Sequence, residues 1–110
     1  MWFLEGAGSS KGLLLTVGVE YVAGRKDCTI LVQDDASISR KHSVITIQHD
    51  EAHMGDPSKI SQAFLQDFSK YGTSVNGVKI SGTVNLKNGD EILFGKNNSY
   101  YRKLNFSNYW

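Results

Sequence analysis

The chain has 110 residues, of which 40% are hydrophobic and 21% charged, and this fits one globular domain that needs no disulfide or metal to hold its core. Its 12 Lys and Arg against 11 Asp and Glu give a net charge of +1, too little for binding nucleic acid mainly by phosphate neutralisation. No apolar run approaches the roughly 18 residues that a membrane-spanning helix requires. The start lacks a secretory leader and the single Cys28 has no partner. We therefore expect a soluble, intracellular protein in which any anion site is local.

The first half of the chain predicts short β-strands separated by turns. Residues 2–5 and 13–17 flank a flexible Gly- and Ser-rich turn, which is typical of a hairpin. Strands are also predicted over 20–23 and 29–32, with Gly24 marking the bend between them. A polar loop over residues 34–42 then leads into a strand over 43–47.

The second half begins with a long surface excursion and then resumes the strands. Residues 49–62 contain the only proline, Pro57, and few large apolar side chains, so we expect a partly mobile surface segment. Asn76-Gly77 is a strong hairpin signal. Further strands are predicted over 63–68, 73–76, 78–80, 84–86, 91–94 and 100–106.

The strand count approaches eleven, and no amphipathic helix is evident, so the sequence predicts an all-β sandwich or barrel. We expect Cys28 to be a buried apolar filler. The expected core also includes Phe64, Phe68, Val75, Ile80, Leu93 and Phe94. The aromatic chain end at 109–110 suggests a connection, starting near residue 106, to another packed element.

Three predicted strand-end loops carry donors suited to an anion. Arg25 lies in the first, Ser39 and Arg40 in the second, and Ser69 and Lys70 in the third. Loops from distant parts of the chain cluster at the ends of a β-sandwich. Phosphate offers three strong acceptor oxygens, and arginine binds two of them in a fork. The loops therefore predict a shared dianion site anchored by Arg25.

Three separated motifs resemble the forkhead-associated (FHA) domain family. In chain order they are Gly24-Arg25, Ser39-x-x-His42 and Asp67-x-Ser69-x-x-Gly72-Thr73-x-Val75-Asn76-Gly77. The resemblance covers most of the chain. It implies a single FHA domain over 1–110, a β-sandwich of about eleven strands with functional loops at one end, and phosphothreonine peptides as ligands.

The resemblance also implies roles for ten residues. The phosphate-binding residues are Arg25, Ser39, Arg40 and Lys70. Residues that contact the peptide backbone or flanking side chains are Lys41, Tyr71 and Asn76. Residues that shape the loops are Gly24, His42 and Gly72. Many family members have Asn where this chain has Tyr71, and that Asn contacts the peptide backbone. The contact with the peptide backbone is therefore expected to differ here.

Segments 1–2, 18–26, 37–42 and 69–76 further resemble an FHA domain that serves the DNA double-strand-break response. This implies recruitment of a nuclease-ATPase break-sensing complex to phosphorylated repair and checkpoint proteins in the nucleus. The expected ligands are acidic peptides of the Ser-Asp-phosphothreonine-Asp type, with Arg40 and Lys41 reading a flanking acid. No cofactor, direct nucleic-acid contact or membrane contact is expected.

Other functional classes fit the residues less well. Ser39, His42 and Asp67 are the residue types of a hydrolase triad, but two of them share one short loop and no nucleophile elbow is present, so we expect no catalysis. Residues 49–53 contain metal-ligand types without a fixed geometry, so we expect no metal.

The alternative that stays open is a small β-domain that binds single-stranded nucleic acid or unphosphorylated protein surfaces. Tyr71, Tyr100 and Tyr101 could stack on bases. The near-neutral charge argues against this class. Binding that is insensitive to threonine phosphorylation would identify it.

Overall fold

The computed structural model describes residues 2–5, 12–32, 37–49, 61–96 and 101–106. Several predictions lie outside these residues: the turn over 6–11, most of the surface excursion with Pro57, and the chain end over 107–110. The metal hypothesis also falls there, because Asp50, Glu51 and His53 are not described.

The described residues form eleven β-strands in two sheets, which confirms the predicted all-β class. The strands are β1 (Trp2–Leu4), β2 (Leu13–Leu15), β3 (Glu20–Gly24), β4 (Ile30–Leu31), β5 (Ser43–His49), β6 (Ser61–Asp67), β7 (Thr73–Val75), β8 (Val78–Lys79), β9 (Thr83–Leu86), β10 (Glu91–Phe94) and β11 (Tyr101–Phe106). Among the residues described there is no helix that could span a membrane.

One sheet has six strands in the order β2-β1-β11-β10-β7-β8, and the other has five in the order β4-β3-β5-β6-β9. Neighbouring strands pair antiparallel apart from β3 and β4, which run parallel. The longest ladder joins β5 to β6, from the Ser43–Asp67 pair to the His49–Ser61 pair. Ser43 directly follows one predicted site loop and Asp67 directly precedes another. Because these two residues are paired, the two loops lie next to each other at one end of the ladder.

The core lies between the sheets and follows the two-residue period of the strands. Ile45 and Ile47 alternate with outward-facing residues on β5, and Leu65 does the same on β6. Ile92 and Phe94 meet them from the other sheet, and neither has any exposed surface. Burying each such side chain completely contributes about 1.5–3 kcal/mol to the free energy of folding.

The expected core list was only partly right. Phe94 is buried, and Val75 and Ile80 pack against the core. Phe68 is 47% exposed, so its assignment to the core is wrong. The reason is phase: Leu65 faces inward on β6, so Phe64 and Gln66 face outward, and Phe68, the first residue after the strand, continues the outward phase. Phe64 accordingly is only half-buried, on the outer face.

Candidate functional site

Ser39 joins three loops at one end of the sandwich. Its carbonyl accepts a hydrogen bond from the backbone N–H of Arg25 at 3.1 Å, and its hydroxyl oxygen accepts one from the backbone N–H of Lys70 at 3.1 Å. The loops that follow β3, β4 and β6 are therefore held together by one backbone–backbone bond and one bond to the Ser39 hydroxyl. The guanidinium and ammonium groups of these loops take no part in either bond.

The three loops present positive charge to solvent. Arg25, Arg40, Lys41 and Lys70 are all exposed. Within the part of the chain that the structure describes, none of these four forms an ion pair with a carboxylate. The ammonium of Lys41 instead lies 4.5 Å from the centre of the Phe68 ring. Cation–π contact leaves the charge of a lysine available to an anion, so this end of the molecule favours a negative ligand.

His42 lies beneath the loops, with no exposed surface, and connects them. Its Nδ1 accepts the backbone N–H of Ser39 at 3.1 Å, which fixes the proton of the neutral ring on Nε2. Nε2 lies 2.8 Å from the carbonyl oxygen of Gly72 and therefore donates to it. The backbone N–H of Gly95, 3.2 Å from Nε2, has the same carbonyl as its acceptor at 3.1 Å. His42 thus shapes the site from within.

Asp67 organises the loop between β6 and β7. Its Oδ1 accepts the Ser69 backbone N–H at 3.1 Å, the Ser69 hydroxyl at 2.6 Å and the Thr73 hydroxyl at 2.9 Å. The Ser69 oxygen in turn accepts the Gly72 N–H at 2.9 Å. This role was not among the predicted ones, although Asp commonly forms turns in which its carboxylate accepts the backbone N–H two residues further on.

Two glycines allow the loops to approach closely. A Cβ on Gly24 would collide with the carbonyl of Arg40 and lie 2.8 Å from the Cys28 sulfur. Gly72 has φ +104°, which other residues rarely adopt. The Cys28 thiol is half-exposed and lies 3.1 Å from the carbonyl oxygens of both Lys26 and Arg40. Its prediction as a buried apolar filler is therefore wrong.

Asn76 is not brought together with the three loops. It lies in the turn after β7, at the end of that strand opposite Gly72, with φ 52°. Its Nδ2 donates to Asp90 at 2.9 Å, and its Oδ1 accepts the backbone N–H of Glu91 at 3.0 Å. The side chain that the family resemblance assigned to the peptide is used here to fasten a turn to β10.

The three residues of the hydrolase-triad hypothesis also make other contacts. The ring nitrogens of His42 face backbone groups, Asp67 holds its own loop, and the Ser39 oxygen accepts a backbone N–H. A Ser-His-Asp relay is not among the hydrogen bonds described for these residues. The arrangement suits fixed loops that bind a ligand.

A fourth segment, immediately after β10, reaches the same end of the fold. The backbone N–H of Lys96 donates to the Ser37 hydroxyl at 3.0 Å, and the Gly95 N–H donates to the Gly72 carbonyl. The Lys96 ammonium lies 4.9 Å from the centre of the Tyr71 ring. Lys96 was not among the predicted site residues, because no local motif marks it.

The model of the FHA domain family matches residues 21–95, and the chain belongs to this family. Over 104 residues the chain is 44% identical to nibrin of Gallus gallus, an alignment that covers 93% of this chain and 14% of that protein. The chain therefore spans about one seventh of the length of this relative.

Solved FHA structures share the fold. The structure of the S. pombe Nbs1-Ctp1 complex matches with a TM-score of 0.79 at 24% identity, covering 97% of this chain and 36% of that one. The MEK1 FHA domain in complex with a phosphothreonine peptide of HOP1 matches with a TM-score of 0.76 at 24% identity, covering 97% of both chains. Both similarities support the FHA fold.

Proposed function

We propose that this chain is a non-catalytic module that binds phosphothreonine peptides. The observation that carries the proposal is the position of Ser39, whose two hydrogen bonds join three loops with exposed cations. The ligand class is supported by family membership and by the MEK1 domain, which was solved with a phosphothreonine peptide.

Each loop has a role in this proposal. Arg25 binds two phosphate oxygens as a fork, the Ser39 hydroxyl donates to a third, and Arg40 and Lys70 add positive charge. The phosphate brings about −1.5 to −2 charges near neutral pH. An unphosphorylated threonine leaves these donors without their acceptor. We expect roughly micromolar affinity, about −8 kcal/mol.

The similarity to nibrin supports a more specific role. We propose that the full-length protein acts in a nuclease-ATPase complex that senses DNA double-strand breaks, and that this domain recruits it to phosphorylated repair and checkpoint partners in the nucleus. The S. pombe neighbour was solved as a complex with Ctp1, which fits recruitment through this fold. The proposed ligands are acidic Ser-Asp-phosphothreonine-Asp peptides, with Arg40 and Lys41 contacting a flanking acid.

The contacts of Asn76 change one part of the expected site. Because its amide is bonded to Asp90 and Glu91, we propose that it acts on the turn and leaves the peptide to other residues. Tyr71 is 41% exposed and accessible to a ligand.

Calorimetric titration tests the proposal. The domain is titrated with a Ser-Asp-phosphothreonine-Asp peptide, with the same peptide lacking phosphate, and with a single-stranded oligonucleotide. We expect heat of binding only with the phosphopeptide. Equal binding of both peptides would contradict phosphate recognition, and binding of the oligonucleotide alone would support the nucleic-acid alternative.

A further inference from the structure

One exposed aromatic ring lies beside two ammonium groups at the ligand end of the sandwich. The Nζ atoms of Lys70 and Lys96 lie 5.5 and 4.9 Å from the centre of the Tyr71 ring. We call Lys70, Tyr71 and Lys96 the Tyr71 cluster. Cation–π attraction within about 6 Å orients an ammonium without neutralising it. Because two like charges share one ring, a bound anion would relieve their repulsion.

The backbone beneath Lys96 is fixed from two sides. Its N–H donates to the hydroxyl of Ser37, a residue that is only 9% exposed. The preceding Gly95 has φ +73° and donates to the Gly72 carbonyl at 3.1 Å. A Cβ on Gly95 would lie 2.7 Å from the Ile38 side chain, so the approach of this segment to the loops requires glycine. The Lys96 side chain therefore starts from a defined position.

Lys96 lies beside the proposed phosphate-binding residues and not among them. Arg25 and Lys70 meet at Ser39, whereas Lys96 reaches the same end through Ser37 and the Tyr71 ring. A cation in this position suits a side chain of the peptide next to the phosphothreonine.

We propose that Lys96 is a specificity-determining residue that binds a carboxylate flanking the phosphothreonine, and that Tyr71 is the residue that positions it. This inference rests on the proposed function. It gives Tyr71 a role of its own, because its ring lies beside the ammonium groups of both Lys70 and Lys96 and orients them.

The test is a cycle of substitutions in both protein and peptide. Wild type and Lys96→Gln are titrated with Ser-Asp-phosphothreonine-Asp and with two peptides in which one or the other Asp is Asn. Lys96→Gln is expected to lower the affinity for the acidic peptide about three- to fivefold, the effect of losing an exposed ion pair. It is expected to leave unchanged the affinity for the Asn peptide that lacks the contacted carboxylate. The control is Lys87→Gln, which removes the same charge at the opposite end of β10, where the Lys87 N–H bonds Asp90.

Two further variants test the ring. The coupling between Lys96 and the peptide acid is the amount by which Lys96→Gln lowers affinity for the acidic peptide more than for the Asn peptide. Tyr71→Phe keeps the ring and is expected to retain this coupling. Tyr71→Leu is expected to lose it while still preferring phosphorylated over unphosphorylated peptide. A Tyr71→Leu variant with full coupling would overturn the positioning role.

The outcomes separate the inference from the proposed function. If Lys96→Gln leaves all affinities unchanged, or weakens all three peptides equally, the carboxylate contact is overturned while phosphate recognition stands. If wild type binds phosphorylated and unphosphorylated peptides equally, the proposed function fails and this inference fails with it.

Discussion

The hydroxyl oxygen of Ser39 lies 3.1 Å from the backbone nitrogen of Lys70, a residue 31 positions further along the chain. This bond leaves the Ser39 O–H proton free to donate. The same hydroxyl can therefore hold the third loop and contact a phosphate oxygen. Loop assembly and the proposed phosphate contact would then share one atom, the Ser39 Oγ.

Replacing Ser39 by Ala tests this coupling. The variant loses a charge-assisted hydrogen bond worth about 1.5–3 kcal/mol, so we expect phosphopeptide affinity to fall by roughly ten- to a hundredfold. We also expect the Lys70 amide resonance to shift in the unligated domain, because its acceptor is gone. Calorimetry and amide NMR spectra measure the two effects. Ser74→Ala, on the half-buried β7, is the matched control, and an unchanged affinity for Ser39→Ala would contradict the assignment.

Asp67 should affect binding by way of loop structure. Asp67→Ala leaves two donors of Ser69 and the hydroxyl of Thr73 without their acceptor, so we expect a loss of about 2–4 kcal/mol in the free energy of unfolding and weaker phosphopeptide binding. Urea denaturation and calorimetry measure these quantities. Asp90→Ala is the control, since it removes comparable contacts at the other end of the fold and should leave affinity unchanged. Equal effects of the two variants on binding would argue against a specific role for Asp67.

Replacing His42 is expected to lower the stability of the fold. His42→Ala removes a fully buried ring that bonds two backbone groups, so the free energy of unfolding should fall by about 2–4 kcal/mol. Denaturant unfolding gives this value. His42→Asn, which keeps one donor and one acceptor near the backbone, should lose less. A His42→Ala domain of wild-type stability would show that the ring does not support the loops.

Local sequence patterns were sufficient to predict the strands and the three loops. Strand-forming segments and turn signals such as Asn76-Gly77 predicted the eleven strands, and motif spacing identified the three loops. The prediction that Phe68 is buried failed because a count of apolar residues ignores the alternation along β6, which Phe68 continues outward just after the strand ends. Lys96 was missed because its partner, Tyr71, is 25 residues away in sequence and meets it only through pairing of β7 with β10.

Phosphate binding by the Arg25 loop is tested most directly by one ratio of affinities. It is the ratio of the affinities for phosphorylated and unphosphorylated Ser-Asp-Thr-Asp peptide, measured by calorimetry for wild type, Arg25→Ala and Arg25→Lys. We predict a large ratio for wild type, a ratio near one for Arg25→Ala, and an intermediate ratio for Arg25→Lys, which keeps the charge but loses the fork. A folded Arg25→Ala domain that keeps the wild-type ratio would contradict the account.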